Sequence, residues 1–366
     1  PEPAAAPEPA AAPEPAAAPA PEPGTPPRQP RKAKHYLGNG QPVLKKPGIS
    51  PDDTMAEAAS KTLLYHLQRM MRHEPGTREG KDPEELHDMR VAVRRMRAAV
   101  RVFADYLDRG ALKPYMKTMR QTGRQLGTVR DLDVFRIKAQ KYVESLPPGQ
   151  ESALDPLLSA WEEERGRQRA NLVSFLDDDR YESFKKEFES FLRGADLGVE
   201  RRVSDDGEPL PTKIRDVLPH VLLERLAAVR AYDESITSGA APVIRFHQLR
   251  ITTKSLRYNL EFFQEVLGPK AKSLIDITKL VQDHLGDLQD ASVTCEVLLG
   301  FLASGTWGRA RGKAARSLPV NAPGVATYLA VKQEEIERLM QAFEPVWRRI
   351  RGPQFSRRLA TLVGAL

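Results

Sequence analysis

Two stretches of this chain carry histidine, arginine and lysine at helical spacing. In the first, His87, Arg90, Arg94, Arg97 and Arg101 follow one another at intervals of three or four residues. At 3.6 residues per turn these five fall within an arc of about 80° on one helix face. Leu86, Met89, Val93, Met96, Val100 and Phe103 occupy a separate apolar stripe. In the second stretch, 160 residues later, His247, Arg250, Lys254 and Arg257 repeat the first four positions. Phe246, Leu249, Thr253, Leu256, Leu260 and Phe263 repeat the stripe, and Glu261 stands where the first copy has Arg101. Like charges one turn apart repel by about 0.2–0.5 kcal/mol per pair. Such a ridge therefore calls for counter-charge, from acids on neighbouring helices or from a bound polyanion. Arginine presents a planar fork of donors that fits phosphate oxygens and does not deprotonate. The chemistry this pattern suits is the gripping of regularly spaced phosphates.

The next helical segment adds charge. Lys113, Lys117, Arg120 and Arg124 fall within about 60° of one another. From Leu86 to Lys138 there are 13 Lys/Arg and 5 Asp/Glu, a local net of +8, whereas the whole chain carries +7. The matching positions of the second copy are Lys272, Asp276, Lys279 and Asp283, close to neutral. Lys279 joins the expected polyanion contacts. Asp131 and Asp290 recur, each four residues after a glycine, Gly127 or Gly286. An acid inside a basic region is read as a salt-bridge partner that fixes arginine rotamers, and the glycines as points of close helix approach.

Other chemistries lack their residues. Neither His87 nor His247 has a second histidine at helical spacing, and the single cysteine, Cys295, excludes Cys-x-x-Cys pairs, so no metal is expected. No Ser, Cys or Asp nucleophile recurs beside the histidines, so no catalytic residue is expected. The two histidines read as phosphate donors that bind better when protonated, or as helix-start packing. His66, His73, His220 and His284 read as incidental. No Gly-x4-Gly-Lys-Ser/Thr loop occurs and no cofactor is expected. Nucleic acid is a weaker alternative partner, because stacking needs aromatics and only Tyr258 sits at the edge of a cationic face. A granule-associated scaffold docking another protein is a further alternative.

The elements that must position these residues are helices. Ser50-Pro51-Asp52-Asp53 offers an N-cap and a first-turn proline. Apolar residues then recur at three and four over Met55–Arg72, Glu84–Leu107, Lys113–Val143, Ala153–Leu176 and Tyr181–Leu192. Breaks are expected at Glu74-Pro75-Gly76, Pro147-Pro148-Gly149 and Asp205-Asp206-Gly207. No alternating strand run appears, so the fold class is all-α. The repeat at an offset of 160 is joined by a second: 126–131 matches 285–290 at an offset of 159. Two similar units follow, 51–205 and 206–366, each expected as a four-helix bundle, packed about a pseudo-two-fold axis. Residues 1–50 read as a linker. PEPAAA occurs three times in residues 1–18, and 14 of 30 prolines lie in the first 48 residues. Thirty such residues make an extended spacer of roughly 90 Å. A basic stretch, Arg28, Arg31, Lys32, Lys34, Lys45 and Lys46, follows. No apolar run reaches the ~20 residues of a membrane span. Cysteine usage fits a cytoplasmic setting. The start at Pro1 leads us to expect a piece of a longer polypeptide.

These motifs resemble the CHAD family, the histidine-containing α-helical domain. The resemblance rests on HDMRVAVRRMRAAVRVF (87–103), LGTVRDLDV (126–134), HQLRITTKSLRYNLEFF (247–263) and LGDLQDASV (285–293). It covers about 51–366. It implies two four-helix bundles with internal pseudo-symmetry, a basic central groove, and non-catalytic binding of inorganic polyphosphate. It also implies association with polyphosphate or polyhydroxyalkanoate granules in some members, and an adjoining triphosphate-tunnel domain in many, whose Glu-x-Glu-x-Lys signature this chain lacks. Gln289 in place of Arg130, and Glu261 in place of Arg101, depart from an equal contribution by the two halves.

Overall fold

The first helix, α1 (Met55–Glu79), begins on a reciprocal cap. Thr54 Oγ1 accepts from the Glu57 N–H at 3.2 Å, and the Glu57 carboxylate accepts from the Thr54 N–H at 2.8 Å. The cap is therefore Thr54 and not Ser50, whose N–H closes a preceding turn on Asp53. The structure is a computed structural model and describes residues 44–194, 210–239, 241–308 and 320–366. The expected PEPAAA spacer, the basic residues Arg28 to Lys34 and the break at Asp205–Gly207 lie outside them. Residues 44–50, assigned above to the linker, are docked on the body. The Leu44 N–H donates to Gln68, the Gly48 and Ile49 N–H groups donate to Glu265, and Ile49 is buried.

After α1 come α2 (Pro83–Val102), a 3-10 turn at Ala104–Tyr106, α3 (Arg109–Glu144), α4 (Asp155–Leu176) and α5 (Asp179–Arg193). The second half holds α6 (Ile214–Arg230), α7 (Asp233–Thr237), α8 (Val243–Phe262), α9 (Gln264–Leu267), α10 (Ala271–Ser304), α11 (Pro323–Gln341), α12 (Glu344–Arg351) and α13 (Pro353–Val363). The fold is all-α, with no strand among the described residues. The expected break at Glu74-Pro75-Gly76 is absent, since α1 runs on to Gly80 at φ 76°. A mid-helix proline costs about 3 kcal/mol, and tertiary contacts offset it. Buried Glu74 accepts from Lys185 at 2.8 Å, Arg78 at 3.0 Å and the Tyr181 hydroxyl at 3.2 Å. Gly76 lets α2 approach, because a Cβ there would overlap the Glu85 side chain.

The halves are neighbours in the same pattern: α1 packs on α2 as α6 packs on α8, α2 on α3 as α8 on α10, and α3 on α4 as α10 on α11. The symmetry is legible to the atom at its axis. The Met55 N–H donates to Thr212 O at 2.8 Å, and the Ile214 N–H donates to Asp53 O at 3.0 Å. These bonds exchange under a shift of 159 residues and flank a bridge between Thr54 and Lys213. One hydrophobic core runs through both halves, from Leu63, Met89 and Phe103 to Leu256, Phe263 and Trp347. A smaller core forms where the C-terminal ends of α3 and α10 meet α4 and α11, around Phe135, Trp161, Phe301 and Tyr328. At 1.5 Å per residue, α3 and α10 are each about 50 Å long and brace the central pair, α2 and α8.

Candidate anion-binding site

Asp82 caps α2 and Pro83 opens it. Its stripe, Leu86, Met89, Val93 and Met96, is fully or nearly fully buried, as is Leu249, Thr253, Leu256 and Leu260 on α8. Each such aliphatic side chain contributes about 1.5–3 kcal/mol, which sets the rotation of both helices and turns their cationic faces to the seam between them. There a cavity of about 410 Å³ is lined by Arg94, Arg97 and Arg101 of α2, Lys254 of α8 and Arg225 of α6, together with Ala98, Val102, Ile251, Ser255, Tyr258 and Asn259. No carboxylate lines it.

The cations crowd one another. Burial lowers the Lys254 ammonium to about 8, helped by Arg250, Arg94, Arg257 and Arg90. Arg94 shows much of its surface to water, yet the surrounding protein weakens its hydration and Arg90 and Arg257 repel it, so its pKa falls. Arg97 is lowered by burial and by Arg101, Arg120 and Arg124, and Arg250 by burial with Arg94 and Arg257 adding to it. The Nε groups of Arg97, Arg225, Arg250 and Arg257 are buried without hydrogen-bond partners. An unmet buried donor costs about 1–3 kcal/mol, so the seam is short of acceptors as well as of negative charge.

Arg90 pairs with Asp131 at 3.1 Å. Asp131 is exposed, yet the surrounding protein weakens its hydration and raises its carboxyl above the usual carboxylate range; Arg90 acts against this and the negative charge of Asp290 adds to it. Asp290 pairs with Lys138 of the other half at 2.8 Å. His87 is half-buried and its Nδ1 has no partner, while burial, with Arg130 nearby, lowers its imidazole. At the matching place Gln289 replaces Arg130 and hydrogen-bonds His247 Nδ1.

Arg120 and Arg124 of α3 extend the cluster beside Arg97. Lys113 and Arg120 share an adjoining pocket of about 230 Å³ with Arg101. Lys117 and Lys279 are exposed, form no ion pair among the described residues, and do not line the cavity. Glu261, at the position of Arg101, pairs with Arg95 at 2.9 Å and lies 3.8 Å from Arg257. The glycines act differently from expectation. A Cβ at Gly286 would meet nothing within 4 Å, and one at Gly127 only Arg90 Nε at 3.7 Å. Gly123 is the tight position, where a Cβ would stand 3.0 Å from Arg97 Nη1. Of the residues sequence spacing missed, Arg225 sits on an otherwise amphipathic helix with nothing to single it out. Arg130 was visible only as a departure between the copies. His73 pairs with Glu85 at 2.8 Å, and His284 contacts Leu339 O at 2.7 Å, both structural. No group of three or more His, Cys, Asp or Glu side chains able to hold a metal occurs among the described residues.

No curated protein matches the chain. Among solved structures it is similar to the CHAD domain from the plant Ricinus communis, at 23% identity and a TM-score of 0.57, over 84% of this chain and 94% of that one. It is also similar to PptA from Streptomyces chartreusis, at 16% identity and a TM-score of 0.55, over 81% of this chain and all of that one. The CHAD domain model matches residues 61–299, from the second turn of α1 to near the end of α10, and so takes in both cationic helices and both Leu-Gly segments. With that match across most of the chain, and the same fold in both structures, this protein belongs to the CHAD domain family.

Proposed function

We propose that this protein binds inorganic polyphosphate, without turning it over, along the seam between α2 and α8. The observation that carries this reading is the cavity itself: five cations from three helices and no carboxylate. A phosphate chain supplies both things the seam lacks, dense negative charge and acceptor oxygens for unpartnered guanidinium donors. Arginine forks engage such oxygens in pairs. Arg120 and Arg124 continue the track away from Arg97. His87, neutral in the empty site, gains a proton more readily beside a polyanion. Association with phosphate-rich granules follows from the same surface.

Nucleic acid fits less well. The one aromatic of the cavity, Tyr258, is buried and stacked on Phe262 at 5.8 Å, so it offers no open platform for a base. The test is calorimetric titration with polyphosphate of defined length, with single-stranded RNA as competitor at equal charge. Polyphosphate binding that RNA does not displace supports the proposal. Displacement by RNA, or steady release of orthophosphate in the presence of magnesium, overturns it.

A further inference from the structure

A second cavity, of about 650 Å³, overlaps the symmetry-related position of the first, with His66, Arg95, Glu261 and Phe262 of its lining matching Arg225, Ser255, Arg101 and Val102. Its lining has diverged. His66 of α1 stands where α6 has Arg225, and Arg95 stands where α8 has Ser255. His66 is 3% exposed, lines the cavity, and its Nδ1 has no hydrogen-bond partner. Burial, then Arg95 and Arg69, hold its imidazole well below the ordinary histidine range, so at neutral pH it offers one donor and one acceptor. Tyr65, which is partly exposed, stands 4.9 Å from it, centroid to centroid, and offers the cavity an aromatic face; buried Phe262 stands 6.1 Å from it. The Arg69 guanidinium lies 5.9 Å from the centre of the Tyr65 ring and forms no ion pair among the described residues. The remaining charges are engaged: Arg95 with Glu261, Lys46 with Glu265, and Lys272, at the rim, with Asp276.

A long inorganic anion is poorly served here, because Glu261 and Glu265 both line the space. An aromatic ring with hydrogen-bonding edges and one compact anionic group is well served, and the volume lies within the ~300–1,000 Å³ of small-molecule sites. We propose that this cavity binds a nucleoside phosphate, its base against the partly exposed Tyr65 with an edge on His66, and its phosphate held by Arg69. The site shares no residue with the polyphosphate cavity and does not depend on that reading.

The test uses the full chain and AMP as probe, read by calorimetry and by saturation transfer to the base protons. The parent protein and an Arg97→Glu/Arg101→Glu variant, disabled in the first cavity, are expected to bind AMP equally. Ribose 5-phosphate, which lacks the base, is expected to bind at least tenfold more weakly. Arg69→Gln and Tyr65→Leu, both partly exposed positions, are expected to lower AMP affinity about tenfold; His66→Phe does the same if it folds. Equal binding of AMP and ribose 5-phosphate, loss of AMP binding in the Arg97→Glu/Arg101→Glu variant, or no effect of Arg69→Gln overturns the proposal. A failure of polyphosphate to bind the parent protein leaves the AMP result unchanged, so the two readings fail separately.

Discussion

At one end of the α2–α8 seam Arg101 shares a cavity with Ser255; at the other, Glu261 pairs with Arg95. The helices are copies, their buried stripes match, and the backbone bonds at the axis exchange under one shift. Two exchanged positions nevertheless make one end a cluster in which Arg94, Arg97, Arg101 and Lys254 form no ion pair among the described residues, Arg225 alone pairing with Glu224 at 3.6 Å, and the other a closed ion pair, with Glu261 12% exposed. Duplication supplies a symmetric scaffold for little cost, since the core fixes the helices. The charges are then free to diverge, because they lie outside the buried stripes that fix the helices.

Charge reversal breaks this contrast most strongly. Arg94→Glu, Arg97→Glu and Arg101→Glu together should lower polyphosphate affinity more than about 100-fold, since each charge-assisted contact contributes roughly 1.5–3 kcal/mol. Circular dichroism should show the fold unchanged, as none of the three lies in the apolar core. Transplanting the open end onto the closed one sharpens the contrast instead. Glu261→Arg with Arg95→Ser should raise affinity about tenfold, roughly one such contact; calorimetry that shows no gain would mean the ends differ in more than charge.

The pH dependence probes the crowding itself. With a pKa of about 8, lowered from its ordinary value, Lys254 is mostly charged at pH 7 and mostly neutral at pH 9. A bound polyanion favours the charged form, so at pH 9 binding must take up a proton and affinity falls. The expected loss from pH 7 to 9 is up to about tenfold, and Lys254→Arg should abolish it. For stability the sign is opposite. The unfolded chain binds this proton up to its ordinary pKa, so below pH 8 the crowded Lys254 ammonium costs stability, and that cost is relieved as pH rises from 8 to 10. The smallest effect is at the axis. Gln289→Arg, which restores the residue present in the first half, should strengthen binding by about threefold or less as one partly screened cation, measurable in the same titration.

Much of this was readable from spacing. Helical period and the absence of alternation give the all-α class, and the twin offsets of 159 and 160 give the two-fold relation. The cationic faces of α2 and α8 were legible because a 3.6-residue period separates them from the apolar stripes. What spacing missed depends on contacts between distant segments. Pro75 reads as a helix end until Lys185 and Tyr181 arrive at Glu74 from α5. Arg225 becomes part of the site only when α6 packs on α8. Glu261 reads as a weakened ridge, whereas its partner Arg95 lies on the other copy. Lys279 has the expected helical angle but does not line the cavity, because an angle fixes a direction and not a distance.

That both halves act as one site is tested most directly by the salt dependence of polyphosphate affinity. Arg97→Gln removes one cation from the first half and Lys254→Gln one from the second. Each should reduce the slope of log affinity against log salt by about one, while Lys279→Gln leaves it unchanged. An unchanged slope in either cavity variant, or an equal reduction by Lys279→Gln, would contradict a single seam shared by the two halves.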